Sequence, residues 1–266
     1  MTHYRDKVVW VTGASAGIGA ALARVFARDG ARLVLSARRL PQLEETRASC
    51  LALGAAAVLV VPLDLEDPDA HGAAVDHVVA EFGRIDLLVN NAGISQRSLA
   101  ADTVLEVDRR LVNANYLGTV SLTKAVLAVM RRQRSGQLAA VTSLVGHIGT
   151  PMRSSYAASK HALHGFFDSL RAEVWRDGIS VTLACPGFIR TDVSVNALSA
   201  DGSPHNVVDR GQANGMDPDR CAERIVRGLR KGKAEVWVGG KEVFAVWIER
   251  FMPAVYRVMA KRIDPT

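Results

Sequence analysis

A glycine-rich turn between a short apolar run and a helical pattern constrains this chain more than any other feature. The run Val8 to Thr12 is typical of a buried strand, and the turn after it reads Gly-Ala-Ser-Ala-Gly-Ile-Gly. Glycines let the backbone turn tightly and approach a pyrophosphate, whose charge meets the free N–H groups at a helix start. The turn therefore predicts a dinucleotide site with these candidate contacts: Gly13, Ser15, Ala16, Gly17, Ile18 and Gly19.

Short apolar runs alternate with helical patterns from residue 7 to residue 240 of the 266 residues. No linker, low-complexity stretch or fixed-period repeat interrupts this alternation, which favours one domain spanning residues 1–266. Strands that alternate with helices predict an α/β fold with a parallel sheet. We expect a Rossmann-type doubly wound sheet of about seven strands between two helical layers, an α-β-α sandwich.

The end of the second predicted strand, Arg32 to Ser36, indicates which dinucleotide is bound. Sites that prefer NAD carry an acidic residue about 20 residues after the glycines, whereas an arginine there accommodates a 2′-phosphate. This chain has Ala37, Arg38 and Arg39 at that point and no acidic residue between Gly30 and Leu43. The pattern predicts NADP(H), with Arg38 as the main contact and Arg39 as a helper or a bystander.

Two further strand ends supply small or polar residues for the same cofactor. Asp64 and Leu65 follow the third strand, Ala57 to Pro62, and the Asp64 carboxylate can accept a hydrogen bond from an adenine amino group. After the fourth strand, Asn90, Ala92 and Gly93 are expected to line the cofactor, and Asn91 fits a purely structural role.

Tyr156 and Lys160 lie one turn apart on a predicted helix that Ser154 or Ser155 can cap, and Ser143 ends the strand before it. A free phenol with a pKa near 10 is a poor acid or base at neutral pH, but a fixed ammonium favours the phenolate and lowers that pKa. We expect Lys160 together with the positive nicotinamide of an oxidised cofactor to bring the pKa of Tyr156 into range. The hydroxyl of Ser143 can reach the same substrate oxygen. The three residues predict acid/base chemistry on a carbonyl or an alcohol.

Several motifs now match, in order and spacing, the short-chain dehydrogenase/reductase family over roughly residues 6–240. They are Thr12 to Gly19, Asn90 to Gly93, Asn115, Ser143, Tyr156-x-x-x-Lys160 and Cys185-Pro186-Gly187. The segments 151–161 and 194–203 also resemble a narrower branch, the dehydrogenase/reductase member 7-like proteins.

The resemblance implies Tyr156 as the general acid/base, Ser143 as the group that polarises the substrate oxygen, and Lys160 as the ribose ligand. It implies that Asn115 holds a water in a proton relay. It also implies cofactor contacts at Pro186, Gly187, Ile189 and Thr191, a substrate lid at residues 192–216, and a homodimer or homotetramer. We expect substrate contacts at Ser143, Val145, His147, Tyr156 and Phe188.

Other features of the chain limit its partners and compartment. The net charge of +6 permits anionic ligands, but no nucleic-acid module is present. The amino terminus leaves no room for a signal peptide, and three widely separated cysteines fit a reducing compartment, so we expect a cytoplasmic protein. No set of His, Cys and acidic residues has metal-ligand spacing, so no metal is expected.

The apolar carboxyl-terminal tail, residues 242–266, is too interrupted by charges and Pro253 for a spanning helix. It is expected to cover a substrate pocket, to lie on a membrane surface, or to be disordered.

These features together predict an NADP(H)-dependent reductase of a lipophilic ketone or aldehyde, of steroid, retinoid or lipid type. The alternatives are a non-catalytic NADP(H)-binding regulatory protein, and an epimerase or dehydratase on the same scaffold.

Overall fold

A computed structural model of the chain describes residues 3–263. Seven parallel strands form one sheet in the order β3-β2-β1-β4-β5-β6-β7, which confirms the predicted single-domain doubly wound fold. The strands are β1 (Val8–Thr12), β2 (Arg32–Ser36), β3 (Ala57–Val60), β4 (Leu87–Asn90), β5 (Gly136–Val141), β6 (Ile179–Pro186) and β7 (Glu235–Val238).

The helices cover both faces of this sheet. They are α1 (Gly17–Arg28), α2 (Leu40–Ala52), α3 (Ala70–Phe82), α4 (Leu105–Val112), α5 (Gly118–Gln133), α6 (Ser154–Val174), α7 (Arg210–Ala213), α8 (Pro218–Arg230), α9 (Val243–Phe251) and α10 (Pro253–Ala260).

Burial on both faces of the sheet explains why the strands read as continuous apolar runs rather than alternating ones. Every residue of β1 is buried. One apolar cluster contains Trp10, Leu88 and Phe167, and a second cluster contains Val9 and Phe26. Two cores separated by one sheet are the α-β-α sandwich that the sequence predicts.

The strand order reverses beside β1, because β2 and β4 both pair with it. In open parallel sheets ligands bind at the carboxyl ends of the strands where this reversal occurs. The glycine turn after β1 and the Asn90 to Gly93 segment after β4 meet there. The sheet topology therefore brings these predicted cofactor contacts to one place.

The helical segment between Leu105 and Gln133 is not one continuous α-helix. A π-helical turn, Asn113–Leu117, separates α4 from α5 and contains the buried Asn115. Such turns insert one extra residue into the helical ladder, often at functional sites. Asn115 therefore marks a change of helix geometry as well as a candidate catalytic position.

The tail forms two helices, α9 and α10, whose inward residues Val246 and Tyr256 join the core beside β7. The Tyr256 hydroxyl donates a hydrogen bond to the Gly149 carbonyl at 2.6 Å. Tail residues 264–266 and the first two residues of the predicted domain lie outside the described residues. Across residues 3–263, no helix combines the length and apolar character that crossing a bilayer requires.

We expect Gly118→Ala to destabilise the fold by about 1–3 kcal/mol, because the added methyl group would overpack a tight contact. A Cβ on Gly118 would stand 2.1 Å from the Leu65 carbonyl oxygen, whereas nothing lies within 4 Å of a Cβ on Gly72 in α3. The matched variant Gly72→Ala should instead gain about 0.5–1 kcal/mol of helix propensity. Urea unfolding of both variants tests this, and equal effects would contradict it.

Candidate active site

Helix α6 carries Tyr156 and Lys160 on one face, as the sequence predicts. The Lys160 Nζ lies 5.7 Å from the centre of the Tyr156 ring and donates a hydrogen bond to the Val141 carbonyl at 3.1 Å. Lys160 is buried, with 4% of its surface exposed. The ammonium is therefore held between the end of β5 and the phenol.

The start of α6 is capped from outside the helix, not by Ser154 or Ser155. Arg153 occupies the cap position without a side-chain cap, and the Gln96 Oε1 accepts hydrogen bonds from the N–H groups of Ser155 and Tyr156. The Ser155 hydroxyl instead donates to Asp108. Because Gln96 bonds the backbone of Tyr156 directly, the loop after β4 fixes the position of the phenol.

Ser143 lies directly across from Tyr156. Its hydroxyl donates to the Pro186 carbonyl at 3.3 Å and accepts from the Val145 N–H at 3.3 Å. The Ser143 hydroxyl also acts on the Tyr156 phenol, whose pKa it lowers. The two hydroxyls are therefore near enough to contact one substrate oxygen together.

Asn115 clamps the loop after β4 to α6. Its Oδ1 accepts from the Ile94 N–H at 2.8 Å, and its Nδ2 donates to the Ile94 carbonyl at 2.9 Å and to Ser159 Oγ at 3.0 Å. A Cβ on Gly93 would lie 2.9 Å from the Asn115 Oδ1, so glycine is required there. The role of Asn115 in a water relay stays a prediction, but its side chain is already committed to these bonds.

Burial dominates the electrostatics of the phenol and the ammonium. It raises the pKa of Tyr156, against the charges of Arg97 and Arg153 and the Ser143 hydrogen bond, which lower it. It also lowers the pKa of Lys160 to about 8. In the protein without ligand desolvation outweighs the neighbouring charges, and the expectation that Lys160 together with a positive nicotinamide lowers the pKa of the phenol stays a prediction.

A buried ion-pair network, which the sequence analysis missed, ties the predicted lid to this site. Asp209 of the lid accepts hydrogen bonds at its Oδ2 from Arg97 Nε at 2.7 Å and Arg97 Nη2 at 2.5 Å. Arg153 Nη2 reaches the same oxygen at 3.2 Å. Nothing in the spacing of these residues signals the pairing, because they come from three distant segments.

The segment 192–216 is packed over the site by backbone pairing as well. The Arg97 N–H donates to the Leu198 carbonyl at 2.8 Å, and the Leu198 N–H donates to the Ser95 carbonyl at 2.8 Å. The Leu198 side chain joins Val107 and Leu111 in an apolar cluster against which Tyr156 packs. An apolar wall therefore adjoins the catalytic phenol.

The glycine turn fits a pyrophosphate. Gly13 and Gly17 adopt left-handed conformations with φ of +64° and +55°, and a Cβ on Gly19 would stand 2.1 Å from the Gly13 carbonyl oxygen. Asn91 Nδ2 donates to the Thr12 carbonyl at 3.0 Å, so this amide joins the ends of β1 and β4. The backbone N–H groups of Ser15, Ala16 and Ile18 belong to the same turn into α1.

Both predicted arginines lie at the end of β2. Arg39 Nη2 is 3.4 Å from Ser15 Oγ, which places it next to the glycine turn. Arg38 Nη1 is 3.9 Å from carboxylate oxygens of Asp64 and of Glu66, and more than half of its side chain is exposed. The two cations thus flank the space where a ribose attached to that pyrophosphate would lie.

The other predicted cofactor residues occupy the carboxyl edge in different ways. Asn90 is buried, and its Nδ2 donates to Thr123 Oγ1 at 3.0 Å, so its side chain turns into the packing between β4 and α5. Ile189 is buried and bridges to Met216, and Thr191 lies close to Gly17. Of the remaining members, Leu65 and Ala92 follow β3 and β4, Pro186 is the last residue of β6, and Gly187 follows it.

Apart from Ser143 and Tyr156, the predicted substrate contacts lie in different surroundings. Val145 is buried, and Phe188 packs against Gly211 of the lid. His147 corrects our expectation of a substrate-facing side chain, because its ring packs on His164 at 4.2 Å and on Trp237 at 5.5 Å between centroids. The tight turn Leu144–Gly146 carries the chain past Ser143 and directs His147 toward β6 and β7.

Comparison with known proteins identifies this arrangement. The short chain dehydrogenase family matches residues 7–201. The chain belongs to the short-chain dehydrogenases. It is 43% identical over 267 residues to dehydrogenase/reductase SDR family member 7B of Bos taurus, covering 98% of this chain and 82% of that protein. It is 44% identical over 253 residues to member 7 of Homo sapiens, covering 93% and 75%.

Solved structures agree with this assignment. A short-chain dehydrogenase from Streptomyces avermitilis superposes with a TM-score of 0.81 at 26% identity, covering 96% of each chain. An alcohol dehydrogenase from the archaeon Thermococcus sibiricus, complexed with 5-hydroxy-NADP, gives 0.77 at 27% identity, covering 89% of this chain and 97% of that one. Short-chain dehydrogenases are oxidoreductases that use a nicotinamide cofactor, and the glycine cradle described above fits such a group.

We expect Lys160→Met to abolish activity and yet to stabilise the short-chain dehydrogenase without cofactor. Burial lowers the pKa of Lys160 from 10.5 to about 8, so the charged form opposes folding to its full extent below about pH 8. The free energy of unfolding rises as the pH increases from about 8 to the ordinary lysine pKa. At pH 7 the gain should be roughly 1–3 kcal/mol, vanishing above the ordinary lysine pKa.

Denaturant unfolding at several pH values measures this effect. Lys124→Met, which removes an exposed lysine of α5, is the control and should change stability by less than about 0.5 kcal/mol. A Lys160→Met variant that is less stable than the parent at pH 7 would contradict the account.

Proposed function

We propose that the chain catalyses reversible hydride transfer between NADP(H) and the carbonyl/alcohol pair of an apolar small molecule, and that it works as a reductase in the cell. The observation that carries this proposal is the buried Lys160 ammonium 5.7 Å from the Tyr156 ring, with Ser143 and the buried Asn115 beside the same phenol. A protein that only binds a dinucleotide has no need of this constellation beside the cradle.

Each protein group has a definite task in the reduction. The turn that contains Gly13, Gly17 and Gly19 would hold NADPH, which would supply a hydride to the carbonyl carbon. Ser143 turns its hydroxyl from the Pro186 carbonyl to the substrate oxygen and polarises it. Tyr156 gives its phenolic proton to that oxygen, so one hydride and one proton convert the carbonyl to an alcohol. Lys160 stabilises the phenolate left behind.

The preference for NADP(H) rests on charge at the end of β2. Arg38 and Arg39 flank the ribose position, and Ser15 Oγ lies 3.4 Å from Arg39. A 2′-phosphate would receive charge-assisted hydrogen bonds there, whereas the ribose hydroxyls of NAD would find no acidic acceptor among residues 31–42.

An apolar substrate is favoured by the wall around Tyr156. Leu198, Val107 and Leu111 form this wall together with Ile94. Phe188, just after the carboxyl end of β6, is partly exposed, and Val207 and Val208 of the lid are more than half exposed. These side chains suit a steroid, a retinoid, or a long-chain or lipid ketone better than a sugar.

The first test is NADPH oxidation with a panel of steroid, retinoid, quinone, aliphatic and sugar carbonyls. Turnover should be highest on apolar carbonyls, and Tyr156→Phe should lower it at least about a hundredfold because the general acid is lost. Tyr116→Phe, which changes a phenol outside the site, is the control and should retain activity. Tight NADPH binding without turnover on any class would favour a regulatory binding protein instead.

Cofactor preference is tested by Arg38→Ala. Loss of the guanidinium should weaken NADPH binding about 10- to 100-fold and leave NADH binding within about twofold, because only the 2′-phosphate needs the charge. Arg47→Ala, on the exposed side of α2, is the matched control. Calorimetric titration with both dinucleotides measures the effect, and an equal loss for both would remove the phosphate role.

We also propose that the protein is a cytoplasmic homodimer or homotetramer that contacts membranes peripherally. Its three cysteines are free and buried, which suits a reducing compartment. Leu105 of α4 and Leu117 of the π-helical turn expose more than half of their surface and offer an apolar contact to a second copy. In the tail, Phe244, Phe251 and Val258 are exposed in the same way, beside basic residues that suit an anionic lipid surface.

One variant separates the two surfaces. Phe251→Ser should weaken co-sedimentation with vesicles rich in phosphatidylserine severalfold, because the tail loses one of its two most exposed aromatic groups. The same variant should leave the mass from light scattering at two or four copies. Val208→Ser, on the lid, is the control for vesicle binding. A monomeric mass, or vesicle binding equal in all three proteins, would contradict the respective proposal.

A further inference from the structure

Three side chains that can ligate a metal converge on the α6 side of the sheet, outside the acid/base site. His147 follows the turn after Ser143, His164 belongs to α6, and Cys185 belongs to β6. One ligand atom of each lies within 4.8 Å of the others. Their spacing in the sequence gave no sign of this cluster, because three separate elements bring them together.

The separations match those of a metal centre. Cys185 Sγ lies 3.7 Å from His147 Nε2 and 4.0 Å from His164 Nε2. With bonds of about 2.3 Å to sulfur and about 2.0–2.1 Å to nitrogen, tetrahedral ligands stand roughly 3.5 Å apart. The cluster therefore needs only small side-chain movements to close on a cation. Gly146 leaves room for this, because a Cβ there would stand 2.7 Å from His164 Nε2.

A carboxylate contacts one of the two histidines from outside the cluster. Glu235 Oε1 lies 3.5 Å from His164 Nδ1. Because a carboxylate can only accept, it favours a proton on Nδ1 and leaves the Nε2 lone pair directed at Cys185 and Thr142. Carboxylates orient metal-binding histidines in this manner.

We propose that His147 Nε2, His164 Nε2 and Cys185 Sγ bind a thiophilic cation of the Zn²⁺ class, with Glu235 orienting His164. Binding replaces the thiol proton, which leaves to solvent as the sulfur–metal bond forms. A thiolate with two imidazoles selects zinc-like ions over Mg²⁺ or Ca²⁺, which prefer oxygen ligands. The Glu235 Oε1 also lies 3.7 Å from His147 Nε2, so ligation by that nitrogen requires the His147 tautomer that carries its proton on Nδ1.

A cavity of about 600 Å³ borders the orienting carboxylate. It is lined by Glu235, Trp237, Lys233 and three residues of α9, and its lining includes none of the three proposed ligands. Trp237 Nε1 donates to Glu235 Oε2 at 2.9 Å, which holds the carboxylate between the cavity and the histidines.

The position of the centre gives it influence on the catalytic residues. His147 and His164 each follow a catalytic residue by four positions, Ser143 and Lys160 respectively. Cys185 precedes Pro186, whose carbonyl accepts the Ser143 hydrogen bond. A bound cation ties the ends of β5 and β6 to α6 and stabilises their relative positions.

Cobalt is the direct probe, because Co²⁺ bound to a thiolate gives a charge-transfer absorption that free Co²⁺ lacks. Chelator-treated full-length protein should develop this band with one equivalent of Co²⁺, and Zn²⁺ should displace it. Cys185→Ser should lose the band, whereas Cys50→Ser and Cys221→Ser, which remove the other two buried thiols, should retain it. No band, or a band that persists in Cys185→Ser, overturns the proposal.

A second measurement tests the site without the Cys185→Ser variant, in case that variant fails to fold. Zn²⁺ at a hundredfold excess over its Kd should raise the melting temperature of the parent by roughly 5–10 °C. His147→Gln should reduce this rise to less than about a third, and Glu235→Gln should weaken Co²⁺ binding about 10- to 100-fold by releasing His164. An equal rise in the parent and in His147→Gln overturns the site, and this result does not depend on any enzymatic activity.

Discussion

The buried ammonium of Lys160 is the constraint on which the candidate site depends. In the described residues 3–263 no carboxylate pairs with it, and its hydrogen bond goes to the Val141 carbonyl. A buried charge without a counter-ion destabilises the fold, and here burial lowers the lysine pKa to about 8. The chain keeps this unfavourable group beside Tyr156, which is where a phenolate has to be stabilised during catalysis. Stability is thus sacrificed at the one position where the proposed chemistry needs a positive charge.

The surrounding structure holds this charge and the phenol in place by polar contacts from several segments. Asn115, in a π-helical turn, joins the loop after β4 to α6. Gln96 from the same loop bonds the backbone at Tyr156. Asp209 fastens the lid through Arg97 and Arg153, so the lid, the loop and the catalytic helix form one connected network. Rigid positioning of this kind favours catalysis because the reacting groups need little rearrangement.

Local patterns were sufficient to predict much of this architecture. The glycine turn, the apolar strands and the Tyr156–Lys160 spacing each depend on short-range rules of backbone and helix geometry, and the fold confirms the sheet they imply. The cap by Gln96, the Arg97–Asp209 pair and the packing of His147 on His164 could not be read in the same way. Each joins segments far apart in sequence, and only the tertiary fold decides which polar groups meet. The raised pKa of Tyr156 was missed for the same reason, because it depends on burial.

The central claim is that Tyr156 becomes an acid/base only when the cofactor joins Lys160 beside it. The most direct measurement is a pH titration of the phenol by NMR of ¹³C-labelled tyrosine, with and without NADP⁺. The chain has four tyrosines, and Tyr156→Phe assigns the relevant signal. The account predicts a Tyr156 pKa above the ordinary value in the free protein and a fall toward neutral pH with NADP⁺, whose positive ring adds to the lysine charge. A phenol that titrates at the same pH in both states would contradict it.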